Sequence, residues 1–437
     1  MILKTRLALQ IVSVTVAAAA SVSSYHAVAS SVSSYHTVAS SVTSSQPAAS
    51  ATSLLRFAAV WDGNRLIRDG RILVEGDRIT AVGANVRSPA GATEIDLRPL
   101  TAIPGLIDVH THITYVWDGA AGTTPLNQPR RDPAERVQMA AANAQKTLET
   151  GVTTIRDLGA SNGTDITMRD EINAGRMTGP RMFVAGQGIS AGRGATPDPE
   201  AMRRTAEARL GTTADWVKVY ASRGSYQSVD TTQTITYEEL KAIVEAAHAK
   251  GRPIAVHSYG ASGVKDAVRA GADTVEHGIE LDDETIAEMV KRGTYWVPTI
   301  DHNRYYVDAR DEFKFAPETI APLQQYIEKN LDATRRAVKA GVKIAMGSDA
   351  VFTMFGQNTR ELGWLVKAGM TPEQALRAGT TVGASLLGQG NRLGRIAPGY
   401  FADIAAVDGD PTRNIDVAIN NVRWVMKGGA VVVDRRK

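Results

Sequence analysis

The chain contains no cysteine. That absence excludes disulfides, thiolate metal ligands, iron–sulfur clusters and a cysteine nucleophile, and it excludes a lipoprotein anchor, which needs a thiol. Charge of one sign is also nearly absent, since 49 Lys+Arg stand against 46 Asp+Glu over 437 residues, a formal +3. So small an excess leaves no electrostatic footprint for nucleic acid. The apolar run Leu7–Ala20 is too short, too alanine-rich and too interrupted by serine to make a comfortable transmembrane helix. No Gly-rich phosphate loop follows an early strand, which argues against a doubly wound nucleotide-binding sheet. Histidine is scarce, with eight in all, and where those eight fall decides the functional reading. The length suits one enzyme-sized domain with an accessory piece.

Residues 1–50 read as a leader. Lys4 and Arg6 precede the apolar run, and small residues with A-x-A-like sites follow, the pattern of a secretory signal and hence of an exported, periplasmic or secreted protein. Ser21–Ser30 (SVSSYHAVAS) repeats as Ser31–Ser40 (SVSSYHTVAS), and a degraded third copy runs to Ser50. This uncharged Ser/Ala/Val tract is not expected to pack, and His26 and His36 read as passengers of the repeat. Each copy carries its own cleavage-like end, so the point of processing stays open. Removing the leader takes away Lys4 and Arg6 and no acid, so the formal charge falls from +3 to +1.

The remainder alternates. Short strands with turn punctuation are expected at Arg56–Trp61, Gly70–Glu75, Arg78–Val82 and Glu94–Leu97, and again at Ala402–Val407 and Val422–Val433. Between these ends, apolar runs at Leu106–Ile113, Thr153–Leu158, Arg181–Gly186, Trp216–Ala221, Pro253–His257, Thr274–His277, Tyr295–Thr299 and Lys343–Gly347 alternate with helical patterns such as Pro133–Thr150, Tyr237–Lys250 and Pro317–Ala340. Gly151, Gly251, Gly271, Gly293 and Gly341 sit where helices end before a strand. Eight strands with intervening helices predict an α/β fold, a (β/α)8 TIM barrel over residues 104–390. A small β-sandwich is expected from residues 51–103 and 391–437.

In a barrel, chemistry gathers where strands end at one mouth. The first strand ends Asp108-Val109-His110-Thr111-His112, and residues two apart share a side, so His110 and His112 can grip one cation together. The fourth strand carries Lys218, the fifth ends at His257, the sixth at His277 and the eighth at Asp349. Four of the six histidines beyond the leader therefore lie at expected strand ends. Singly, each has a plain structural use: Asp349 as a helix cap, Lys218 as a buried partner of a carboxylate, a histidine as a hydrogen-bonded strand end. Together, nitrogen and oxygen donors on one face suit zinc or a similar divalent ion in a catalytic site.

The run Thr101-Ala102-Ile103-Pro104-Gly105-Leu106-Ile107-Asp108-Val109-His110-Thr111-His112 resembles the opening signature of the amidohydrolase superfamily. Val275-Glu276-His277-Gly278 and Gly347-Ser348-Asp349-Ala350 resemble its motifs on strands six and eight, and the tail motifs Gly369–Glu373 and Ala397–Asp403 are similar too. The resemblance covers about residues 54–437. Its pattern is that of the imidazolonepropionase-like and Xaa-Pro-dipeptidase-like branch of secreted amidases, which includes dipeptide carboxypeptidases and ochratoxin-hydrolysing amidases. It implies two divalent metal ions, zinc by preference. His110, His112 and Asp349 would hold one, His257 and His277 the other, and Lys218 would bridge both as an N-carboxylated lysine. A plain ammonium cannot ligate a cation, whereas a carbamate offers two oxygens. The bridging lysine argues against the reaction of imidazolonepropionase itself, which is mononuclear. It implies amide hydrolysis by a metal-bridging hydroxide, with Asp349 as the catalytic residue that takes a proton and passes it to the leaving amine.

Substrate contacts are expected from Tyr220 and Arg223 after the bridging lysine, Arg223 being able to clamp a carboxylate bidentately. Tyr115 and Trp117 in the first loop offer an apolar wall, and His302 a hydrogen bond or a structural role. His248, in mid-helix, reads as structural. These point to N-acyl amino acids or dipeptides with a free carboxylate. A lactonase or phosphotriesterase, a deaminase, and a non-catalytic periplasmic binding protein are the competing readings. The resemblance implies a homo-oligomer, although no residue pattern marks an interface.

Overall fold

The computed structural model describes residues 52–192, 194–224 and 229–436. The expected leader, with its signal segment, its repeat, His26 and His36, lies outside the described residues.

The middle of the chain builds parallel sheets. One joins Arg181–Val184, Val152–Asp157 and Leu106–Thr111; the other joins Ile189–Ser190, Val217–Tyr220, Ile254–Ser258, Thr274–His277, Tyr295–Val297 and Lys343–Ile344 in that order. Backbone bonds tie the two together at both edges. Trp216 N donates to Val184 O at 3.1 Å, and on the other side Val109 N donates to Met346 O at 3.0 Å and Asp349 N to His110 O at 2.7 Å. Most strand residues are buried on both faces, as in parallel strands covered by helices. The helices between them follow local sequence rules. Asp132 caps Pro133–Glu149 with Pro133 at its first position, and Thr236 and Glu239 form a capping box at the start of Tyr237–Ala249. Helix Pro317–Ala340 ends at Gly341, whose φ of 86° is the left-handed turn that glycine adopts without steric cost.

The two chain ends meet in one sheet. Thr101–Pro104 pairs antiparallel with Ile404–Val407, which continues to Val422–Lys427 and Ala430–Asp434 on one side, while Thr101–Pro104 pairs with Ala59–Trp61 on the other. A second sheet orders Arg78–Gly83, Arg71–Glu75, Thr52–Arg56 and Thr93–Asp96. The two share an apolar core that includes Leu55, Phe57, Val60, Ile72, Ile404, Trp424 and Met426, all buried. The single strand expected over Arg56–Trp61 is two. The chain crosses between sheets at Phe57–Ala58, because Leu55, Phe57 and Val60 can all enter the shared core only if the strand breaks.

Strands seven and eight are shorter than their apolar runs suggest. Thr299 takes a φ of 51°, which ends the seventh, and Met346 N leaves the sheet for Ala378 O. Among the described residues, no helix is long and apolar enough to cross a membrane.

Candidate metal centre

Six side chains converge at one side of the parallel sheets: His110 and His112 from the first strand and its end, Lys218, His257 and His277 from one strand each, and Asp349 from the turn after the last. His110, His112, Lys218, His257, His277 and Asp349 all line one cavity of about 210 Å³, together with Tyr115, Tyr220, Tyr259, His302, Tyr306 and Phe352 among others. His110, His277 and Asp349 each offer a ligand atom within 4.8 Å of the others. Asp349 Oδ1 lies 3.3 Å from His112 Nε2 and 3.5 Å from His110 Nε2, and its Oδ2 lies 3.1 Å from His302 Nε2.

Each of the four strand-end imidazoles is held from outside by one ring nitrogen. His110 Nδ1 meets Glu276 Oε2 at 2.8 Å, His112 Nδ1 donates to Gly159 O at 3.0 Å, His257 Nε2 donates to Gly224 O at 2.9 Å, and His277 Nδ1 meets Thr299 Oγ1 at 2.7 Å. The opposite nitrogen of each is thereby left for the site, the arrangement by which proteins orient histidine ligands. Two buried polar atoms of the site, His110 Nε2 and Lys218 Nζ, have no hydrogen-bond partner among the described residues. Leaving buried polar atoms unpaired is costly, so this donor set fits divalent cations.

Electrostatics agree. Burial, opposed by Asp349 and reinforced by Lys218, holds His110 down at about 4, and burial with Lys218 nearby holds His257 at about 3. Both are therefore neutral near pH 7, as ligation requires. Burial lowers Lys218 to about 8. Although burial opposes it, the neighbouring His302, His110 and His112, the last through a hydrogen bond as well, hold Asp349 well below the usual carboxylate range.

Below these ligands lies a buried scaffold that the motifs alone did not reveal. Arg156, fully buried, donates to Glu276 Oε1 at 2.9 Å and to Val109 O at 2.6 Å, so Glu276 joins the guanidinium to His110. Asp108 accepts from Ser348 N, His110 N, the Ser348 hydroxyl and Asn358 Nδ2, which fastens the Asp349 turn to the first strand. Gly347 leaves room for that contact, because a Cβ there would meet His110 Cβ at 2.8 Å. Four non-glycine residues of the site, His277, Thr299, Asp349 and Phe352, take left-handed backbone conformations with φ of 69°, 51°, 53° and 47°. Such strain persists only where the surroundings over-determine it, and it gathers at functional sites.

The expected substrate contacts divide. Tyr115 stacks on His112 with ring centroids 4.8 Å apart, and Tyr220 and His302 also face the cavity. Arg223 and Trp117 do not line it. Arg223 is exposed, its backbone N–H bonds Thr232 O, and its side chain lines the adjoining cavity with Asp230 and Gln233. Trp117 stays within its own loop, donating to Thr123 Oγ1 at 2.9 Å. His248 pairs with Asp273 at 2.8 Å on the half-exposed face of its helix, away from the site. The sequence reading missed Tyr259, which stacks on His277 at 5.0 Å, and Tyr306, which lies edge-on to His302 at 4.6 Å. Tyr259 had a signal, being two residues beyond His257; so did Arg156, a cation inside the run Thr153–Leu158 expected as a strand.

The sequence profile of the amidohydrolase family matches residues 101–432. The ochratoxinase of Aspergillus niger is 29% identical over 413 residues, covering 84% of this chain and 83% of the relative. An imidazolonepropionase of Streptomyces griseus is 25% identical over 370 residues, covering 78% of this chain and 86% of the relative. The crystal structure of a Xaa-Pro dipeptidase with methionine bound in its active site superposes with a TM-score of 0.79 at 30% identity, over 87% of this chain and 99% of that one.

Proposed function

Since this chain belongs to the amidohydrolase family and is a hydrolase, we propose that it cleaves the amide bond of a small N-acyl amino acid or dipeptide with a free C-terminal carboxylate, ochratoxin-type amides included. The observation that carries this reading is the four imidazoles, each held by one nitrogen and open at the other, around a carboxylate and a buried amine without a hydrogen bond among the described residues. His110, His112 and Asp349 would hold one divalent ion and His257 and His277 a second, both zinc by preference. Lys218 would bridge them after its neutral Nζ adds to carbon dioxide and loses a proton. Bound there, the ions supply Lewis acidity that polarises a carbonyl and acidifies water.

The chain's own groups handle the protons. Asp349 is ionised, so it can accept the proton of the attacking water. His302 donates Nδ1–H to the Asp349 carbonyl at 2.8 Å, so the Nε2 lone pair faces Oδ2 and can accept a hydrogen bond once that carboxyl is protonated. From Asp349 the proton passes to the leaving nitrogen. The cavity volume is below the roughly 300–1,000 Å³ of drug-sized sites, which favours one amino-acid-sized group at the centre. A carboxylate reaching past Tyr220 toward the adjoining cavity would meet Arg223.

The same reading takes the two parallel sheets as one (β/α)8 barrel spanning 104–390, and the end sheets as a β-sandwich of 51–103 and 391–437. It takes residues 1–50 as an export leader and the working enzyme as a homo-oligomer. The test is a panel of N-acyl amino acids, dipeptides, lactones and paraoxon, assayed with zinc-loaded protein. Release of the C-terminal amino acid is expected; turnover of only the lactones or paraoxon, or of nothing, overturns the assignment.

A further inference from the structure

The turn that follows the seventh strand holds two of the site's groups at once. Thr299 Oγ1 meets His277 Nδ1 at 2.7 Å, and His302, three residues on, meets both the carbonyl and the carboxylate of Asp349. Helix Ile300–Asp308 begins at this turn, with Thr299 at the position before its first residue. A threonine there ordinarily turns its hydroxyl onto the exposed N–H groups of the first helical turn. Here it cannot, because its backbone is left-handed and its hydroxyl is occupied by His277, and the helix has no cap of its own.

The missing cap comes from another element. Glu361, fully buried on helix Glu361–Lys367, accepts Ile300 N at 3.0 Å with Oε1 and Asp301 N at 2.8 Å with Oε2. The turn is held from its other side by buried Asn330, whose Nδ2 donates to Pro298 O at 2.7 Å. Glu361 itself touches none of the cavity-lining residues through a hydrogen bond. Its two acceptor oxygens satisfy the N–H groups of the first two helical residues, the second of which a capping threonine hydroxyl ordinarily serves, and the threonine hydroxyl is left to orient the His277 ring.

We propose that Glu361 is a positioning residue of this hydrolase: by capping helix Ile300–Asp308 from outside, it frees Thr299 to hold His277 and sets His302 against Asp349. The inference rests on the metal-centre reading above and adds a residue some sixty positions from the turn it controls. Glutamine at 361 keeps one acceptor but presents an amide N–H₂ to the other backbone donor, so the turn shifts while side-chain volume is kept.

The test compares Glu361→Gln with Glu239→Gln. Glu239 is a matched control, since it is also buried and accepts two backbone N–H groups, Asp198 N at 3.0 Å and Thr236 N at 2.9 Å, far from the turn in sequence and with no contact to it. Zinc retention against a chelator, kcat, KM and the melting temperature are measured for both and for wild type. Outer partners of metal ligands typically contribute 10–100-fold to affinity or activity. Glu361→Gln is therefore expected to weaken zinc retention and lower kcat by about that factor, with KM within a few-fold. Glu239→Gln is expected to keep wild-type retention and kcat at a comparable loss of melting temperature. Wild-type zinc retention and kcat in Glu361→Gln, or equal losses in Glu239→Gln, overturn the inference alone. A wild-type chain that retains no zinc overturns the metal-centre reading and this inference with it.

Discussion

Asp349 joins three roles in one residue. Its backbone N–H bonds His110 O, its carbonyl accepts from His302, and its carboxylate lies between His110, His112 and His302. Each of these fixes the carboxylate without protonating it, which is what a group that must accept a proton from water needs. Lys218 presents the complementary case, a buried amine whose nitrogen makes no hydrogen bond among the described residues and lies 5.3 Å from the centre of the Tyr220 ring. An unpaired buried ammonium is expensive, and conversion to a carbamate removes the positive charge while supplying ligand oxygens. Lys218→Ala and Asp349→Asn are each expected to lower kcat by about 10²–10⁴-fold, with melting temperatures near that of wild type. Wild-type turnover in either variant with metals bound would contradict the assignment.

At the scale of elements, the centre depends on strands being locked in register by charges the solvent never reaches. Arg156 on the second parallel strand and Glu276 on the sixth form a buried pair beneath His110, and Arg156 also holds the Val109 carbonyl of the first strand. Although burial opposes it, Arg156 with His110 pulls the Glu276 carboxyl down to about 2. Removing one member of such a pair leaves the other charge uncompensated, a loss of roughly 3–5 kcal/mol. Glu276→Gln should show that deficit in denaturant unfolding at pH 7. Because the folded carboxyl titrates at about 2 and the unfolded one at its ordinary value of 4.5, the pair's stabilisation is complete above 4.5 and is lost as pH falls toward 2. The gap between variant and wild type should therefore shrink below pH 4.5. A pH-independent gap would mean that packing, not the charge, is what Glu276 supplies.

Much of this was legible in the order of residues. The positions of His110, His112, His257 and His277 follow from apolar runs that end on polar groups, and Lys218 from a lone cation inside such a run, local signals that tertiary contacts only bring to completion. Terminal glycines marked the ends of helices for the same reason. Asp349 lies beyond the short strand Lys343–Ile344, on the turn that Asp108 fastens to the first strand. What was not legible depends on paths through space. Arg223 lies on a loop whose course sends it to the adjoining cavity. Tyr306 reaches the site from a helix, and the service of Glu361 to Ile300 and Asp301 crosses a span with no local trace in the sequence.

On the scale of the whole molecule, the two ends of the described chain are bound to each other. Thr101–Pro104 leads into the strand that bears His110, and it is paired with Ile404–Val407, while Ile404, Trp424 and Met426 fill the core with Leu55 and Phe57. Loss of residues 391–437 would strip that core of Ile396, Ile404, Trp424 and Met426, each contributing on the order of 1.5–3 kcal/mol, which in sum is comparable to ordinary domain stability. The truncated chain is expected to lose its cooperative thermal transition. A truncated chain that melts cooperatively near the wild-type temperature would show that the parallel-stranded region folds without its C-terminal partner strands.

The central claim is a two-metal hydrolytic centre bridged through Lys218, and elemental analysis of the zinc-saturated, desalted protein tests it most directly. Two zinc ions per chain are expected for wild type and fewer than two for Lys218→Ala; one or none in wild type, or two in both, would contradict it.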